Sequence, residues 1–115
     1  MQIDERNVGS VTVLDVTGQI TSSEGGTLLK DKIHSLVDQD CKHIVLDLGG
    51  VSYVDSAGLG EIVGSLTTVT RGGGTLKLLN LNKRIQDLMV MTKLTTVFDT
   101  FDTEADAVRS FAAKV

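Results

Sequence analysis

Apolar positions along this chain change their period several times, and each change marks an element. Val11-Thr12-Val13-Leu14-Asp15-Val16-Thr17-Gly18 is β-branched, loosely alternating and ended by a glycine, the pattern of a strand. Gln2 to Arg6 makes a weaker strand before it, joined through Asn7-Val8-Gly9-Ser10, so the chain opens on a hairpin. Thr21-Ser22-Ser23 then supplies N-cap candidates for a first helix. In it Leu29, Ile33, Leu36 and Val37 recur at helical spacing, with Lys30, Asp31, Lys32 and Ser35 opposite, to about Gln39. His43-Ile44-Val45-Leu46-Asp47-Leu48 is a short apolar run between polar residues, which predicts a strand buried on both faces in the middle of a sheet. From Leu59, the positions Ile62, Val63, Leu66 and Val69 mark a second helix, closed by Arg71 and the turn Gly72-Gly73-Gly74.

Thr75 to Leu79 predicts a further strand, and Ile85, Leu88 and Met89 a third helix. Thr96 to Thr100 reads as a short edge strand, and Ala105, Val108, Phe111 and Ala112 as the inner stripe of a C-terminal helix. Alternating strands and helices with short connections predict an α/β domain: a single mixed β-sheet of four to five strands with about four α-helices as a covering layer. A chain of 115 residues, 41% of them hydrophobic, has room for one such domain over residues 1–115 and too little for two. The sequence has no proline, no internal repeat and no low-complexity linker.

Composition removes whole classes of function. The mean hydropathy is +0.12 and the longest apolar run is Leu88-Met89-Val90-Met91, far short of the ~20 residues of a membrane-spanning helix, so no membrane insertion is expected. A formal charge of −4 is the wrong sign for holding a phosphate backbone, so nucleic acid is not an expected partner. The start of the chain, Met1-Gln2-Ile3-Asp4-Glu5-Arg6, lacks a basic patch followed by an apolar stretch, which leads to an expectation of a cytoplasmic protein. A lone Cys41 agrees with a reducing compartment and forms no internal disulfide. Without paired His, Cys or carboxylate spacing around His34 and His43, no metal and no cofactor is expected.

The segment Asp55-Ser56-Ala57-Gly58-Leu59-Gly60 carries the most chemistry, because it lies between the central strand and the second helix. Either Ser56 or Asp55 is the N-cap of that helix, or Ser56 bears an anion that the unsatisfied N–H groups and positive dipole end would favour. Gly58 and Gly60 bring no side chains and would leave the ground around Ser56 low and open, while Leu59 turns inward as an anchor. The segment is no Gly-x-Ser-x-Gly elbow, and both histidines lie in other elements, which argues against a hydrolase nucleophile. Gly72-Gly73-Gly74 follows a helix and precedes a strand, the reverse of a phosphate-binding loop. The pairs Asp38 and Asp40, and Asp99 and Asp102, stand at element ends as solvated carboxylates. Met89, Val90 and Met91 in succession cannot all face inward, so at least one is at the surface, where a thioether suits a partner.

His43 to Leu48 followed by Gly50-Val51-Ser52-Tyr53-Val54-Asp55-Ser56-Ala57-Gly58-Leu59-Gly60 resembles the STAS domain of bacterial anti-sigma factor antagonists. Val16-Thr17-Gly18-Gln19-Ile20, the glycine turn and the Lys83 to Leu94 helix fall where single-domain members have them, so the resemblance spans nearly the whole chain. It implies a partner-switching module that is not itself an enzyme. Unmodified, such a protein binds an anti-sigma factor that is also a serine kinase, and the sigma factor is released. The kinase modifies the serine directly after the motif's aspartate, here Ser56, and a serine phosphatase restores the active form. The implied partner surface comprises Thr21, Ser22, Asp55, Ser56, Ala57, Gly58, Gly60 and Glu61. Two departures matter: Thr21 stands where many members have an aspartate, and Ala57 where many have a second serine, which leaves Ser56 the sole hydroxyl candidate. The alternative is a constitutive STAS adaptor subunit of a transport or stress-signalling complex, using the same surface without a switch. The resemblance leaves open whether the free protein self-associates.

Overall fold

The computed structural model describes residues 1–21 and 26–112. Five strands and four helices follow in the order β1 (Gln2–Val8), β2 (Val11–Ile20), α1 (Gly26–Asp38), β3 (His43–Val54), α2 (Ser56–Arg71), β4 (Thr75–Leu79), α3 (Lys83–Met91), β5 (Thr100–Phe101) and α4 (Glu104–Ala112). The sheet runs β1-β2-β3-β4-β5 in space. The β1–β2 hairpin is antiparallel and every other pairing is parallel, which makes the sheet mixed with β3 at its centre, as the apolar run of β3 predicts.

Alternation along the strands divides the interior in two. Leu14 and Val16 of β2, Ile44, Leu46 and Leu48 of β3, and Leu76 and Leu78 of β4 face one side, where they meet Leu29, Ile33 and Leu36 of α1, Leu59, Ile62 and Val69 of α2, and Ile85 and Met89 of α3. Val11, Val13, Val45 and Leu79 face the other, where Ala107 and Phe111 of α4 close over them. The expected single covering layer is therefore corrected: three helices lie on one face and α4 on the opposite one. Strand β3 demands this, since Val45 is as fully buried as Ile44 and Leu46 and needs a cover of its own.

Helix ends follow local chemistry. Gly73 adopts φ +84°, a left-handed backbone that suits glycine, as the chain turns from α2 into β4. Asn82 caps α3, its Oδ1 accepting from Ile85 N at 2.9 Å, and its Nδ2 donates to Val51 O at 2.9 Å, which ties α3 to the far end of β3. Arg6 on β1 hydrogen-bonds Asp15 on β2 with Nε 2.6 Å from Oδ2 and pairs also with Glu104, joining the hairpin to α4.

Four sequence readings shift. Strand β2 does not stop at Gly18 but continues to Ile20, and β3 continues past Gly49 and Gly50 to Val54, because irregular register between the two carries their pairing on to Ile20 and Val54. The expected Thr96 to Thr100 strand shrinks to Thr100–Phe101: Val97 N bonds Leu94 O, so the preceding residues turn, and ladder bonds begin only with Leu78 N to Asp99 O and Asn80 N to Phe101 O. In α4 the buried small residue is Ala107, while Ala105 is exposed. Alanine suits either face of a helix, and the pairing of Ala107 with Phe111 one turn on decides the stripe. Of the three consecutive residues on α3, Met89 is buried, and Val90 and Met91 are exposed.

Candidate functional site

The site forms where β3 ends and α2 begins. Asp55 leaves the strand with extended backbone (φ −93°, ψ −179°), and its Oδ1 accepts from Gly58 N at 2.7 Å. Its own carbonyl oxygen accepts the first helical bond, from Leu59 N at 2.9 Å. Asp55 is thus the N-cap of α2, which resolves the choice between the two residues. Ser56 is the first residue inside the helix, exposed, and its hydroxyl makes no hydrogen bond among the described residues. The capping duty falls on the aspartate, and the serine oxygen is left to solvent at a helix terminus whose N–H groups favour negative charge.

Around it, the neighbours divide between surface and support. Ala57 and Gly60 are exposed, and nothing lies within 4 Å of where a β-carbon on Gly60 would stand. Gly58 is buried: a β-carbon there would meet Ile20 O at 1.8 Å, so the glycine lets the first turn of α2 seat directly on the end of β2. The reading of Gly58 as open ground is corrected on this point, because its missing side chain admits backbone and not a partner. Leu59 is 5% exposed and anchors the helix in the core, as expected. Thr21 is also buried, at 8% exposure, so its side chain offers little surface. Ser22 lies outside the described residues, as does Ser23, so a cap by either on α1 is not described.

One turn beyond Ser56, Glu61 is half-buried and lines a groove of about 240 Å³ between α1 and α2, with Lys30, Ile33, Gly60, Gly64, Ser65 and Thr68. Ser65 there donates to Glu61 O at 2.9 Å, so its hydroxyl is engaged by the helix backbone. No histidine approaches. His43 stands at the opposite end of β3, stacked 4.8 Å from the Phe111 ring, and His34 is exposed on α1. Among the described residues no group of His, Cys, Asp and Glu is arranged to hold a metal ion. No helix among them is long and apolar enough to cross a membrane. Sequence reasoning missed one feature near the site: the Arg84 guanidinium of α3 lies 4.3 Å over the ring of Tyr53, three residues before Ser56. The signal was an aromatic residue at an outward position between the inward Val51 and Val54.

Comparison with known proteins places this geometry in context. The family model of the STAS domain matches residues 2–107. An anti-sigma F factor antagonist of Paenibacillus polymyxa is 24% identical over 93% of this chain and 92% of its own length. An anti-sigma-B factor antagonist of Bacillus subtilis is 39% identical over 63% of this chain and 65% of its own. Among solved structures, an anti-sigma factor antagonist from Mycobacterium paratuberculosis superposes with a TM-score of 0.82 at 20% identity, covering 95% of this chain and 92% of that one. The Bacillus cell fate determinant SpoIIAA in its phosphorylated form gives a TM-score of 0.73 at 19% identity, covering 96% and 99%. With a family model matched along nearly its whole length, and a fold that superposes on those neighbours, this chain belongs to the STAS domain family.

Proposed function

We infer that this protein is an anti-sigma factor antagonist: unphosphorylated, it binds an anti-sigma factor that is also a serine kinase, and phosphorylation of Ser56 ends that binding until a serine phosphatase removes the phosphate. The observation that carries this reading is the division of labour at the start of α2, where Asp55 takes the cap and leaves the Ser56 hydroxyl exposed and unbonded among the described residues. Relatives named as anti-sigma factor antagonists, and a neighbour of the same fold solved in a phosphorylated form, support it. The partner surface would be Ser56, Ala57 and Gly60 with the exposed part of Glu61, over a base formed by Asp55, Gly58 and Thr21. The protein is a substrate and a binding module, not an enzyme.

Electrostatics accounts for the switch. A phosphate on Ser56 brings about −1.5 to −2 charges to a surface that already holds Asp55 and Glu61. A carboxylate of a docked partner ~5 Å away, at an effective dielectric of ~20, would be repelled by about 3 kcal/mol per unit charge before screening. Survival of ~1.4 kcal/mol of that is already a tenfold loss of affinity. The dipole of α2 offsets part of the phosphate's charge within the free protein, so release needs no unfolding.

Incubation with the cognate kinase and ATP should add one phosphate, and peptide mapping should place it on Ser56. Titration calorimetry should show Ser56→Asp binding the kinase at least about tenfold more weakly, and Ser56→Ala binding it while resisting phosphorylation. Equal affinity of wild type and Ser56→Asp would instead favour constitutive adaptor binding.

A further inference from the structure

Helices α2 and α3 follow the parallel strands β3 and β4, so both begin at the edge where those strands end. Asn82 pins the start of α3 to β3 through its bond to Val51 O, and the Arg84 guanidinium lies 4.3 Å over the Tyr53 ring. Tyr53 is 36% exposed and stands three residues before Ser56. An exposed path therefore runs from the serine across Tyr53 to α3.

Along α3, Lys83, Arg84, Asp87, Leu88 and Met91 line one shallow groove of about 410 Å³. Its two ends differ in chemistry. Leu88 is half-buried and Met91 is 78% exposed, which leaves an apolar, adaptable floor at the C-terminal end. At the other end Lys83 and Arg84 are exposed, and neither pairs with a carboxylate among the described residues, Asp87 of the same groove included. Both stand in the first turn of α3, which holds no acidic residue and where the helix dipole disfavours positive charge. The Tyr53 ring offsets this for Arg84 and fixes its side chain before any partner arrives, so less freedom is lost on docking. A chain of net charge −4 thus sets two cations against local preference beside its candidate phosphorylation site.

We propose that this groove continues the docking surface begun at Ser56 and takes an acidic, amphipathic segment of the anti-sigma factor, with carboxylates over Lys83 and Arg84 and an apolar side chain on Leu88 and Met91. The proposal rests on the antagonist role inferred above and adds the chemistry by which the partner is selected. Arginine and tyrosine side by side, flanked by an apolar contact, are the residue types on which binding energy concentrates at protein interfaces.

Titration calorimetry of the full chain with the anti-sigma factor tests this. The double variant Lys83→Gln, Arg84→Gln should bind at least about tenfold more weakly than wild type at low salt, and the gap should narrow at about 1 M salt. Met91→Ser should weaken binding about threefold or more at either salt. Lys93→Gln, which removes an exposed cation outside the groove, should bind as wild type does. A wild type that does not bind the anti-sigma factor would overturn the antagonist role and this proposal together. Binding by wild type with no loss in the double variant or in Met91→Ser would overturn this proposal alone. So would a loss in the double variant that Lys93→Gln matches or that persists undiminished at high salt.

Discussion

Ile20 presents its carbonyl oxygen so close to Gly58 that a β-carbon on the glycine would stand 1.8 Å from it. The same oxygen accepts Asp55 N–H at 3.3 Å. The end of β2 therefore sets both the seat of the N-cap and the height of the first turn of α2, and through them where Ser56 stands above the sheet. A position two residues from the candidate phosphorylation site is governed by backbone from another strand.

Gly58→Ala should accordingly cost more than about 2 kcal/mol, since a rigid carbonyl and not a movable side chain blocks the added carbon. Gly60→Ala, with open space around it, should be neutral or stabilising by up to about 1 kcal/mol. Urea unfolding of the two variants measures the contrast, and equal midpoints would contradict the seat assigned to Gly58.

Asp55→Ala should lower stability by about 1 kcal/mol through loss of the cap to Gly58 N, while Asp55→Asn should keep most of it. A silent Asp55→Ala in the same denaturation experiment would mean that another residue takes over the cap.

Ser56→Asp places a carboxylate at the first position of α2, where the helix dipole favours negative charge by about 0.3–1 kcal/mol. The thermal midpoint should stay level or rise slightly, with an unchanged far-UV circular dichroism spectrum. Loss of kinase binding in this variant would then be a surface effect. A midpoint that falls by many degrees would instead trace it to unfolding.

Acid should find a particular weak point in the hairpin. The hydrogen bond from Arg6 holds the Asp15 carboxyl below its ordinary value of 3.8, against the opposing pull of burial. A carboxyl depressed in the folded state contributes stability that is complete above its unfolded value. That contribution is lost as pH falls below 3.8 and through the folded value. Arg6→Gln should therefore flatten the fall in stability between about pH 4 and the acid limit, read as urea midpoints against pH, and leave the profile near neutrality parallel to wild type. Arg6 itself stays charged throughout that range.

Much of the architecture is legible in local patterns. The spacing of Ile62, Leu66 and Val69, and the bounds of Thr75–Leu79, depend on neighbours a few residues apart, and the structure keeps them. Ser56 was likewise placed at a helix start from its position after an apolar strand. The misreadings share a different cause. Gly58 read as open ground because a glycine looks the same in sequence whether it faces solvent or a carbonyl oxygen. Thr21, which the resemblance puts on the partner surface, is buried. Ala105 and Ala107 are alike in size and propensity, and only the sheet beneath α4 chooses between them.

What the sequence determined by itself is the set of elements, the central place of β3 and the serine at the head of α2, because periodicity, capping chemistry and β-branching act over a few residues along the chain. Which face each helix covers, the burial of Lys77 between Phe101 and Phe111 and the contact of Ile20 with Gly58 were decided only by tertiary structure. Those relations set groups from strands and helices distant in sequence within a few ångströms of one another, and packing at that range depends on the whole fold.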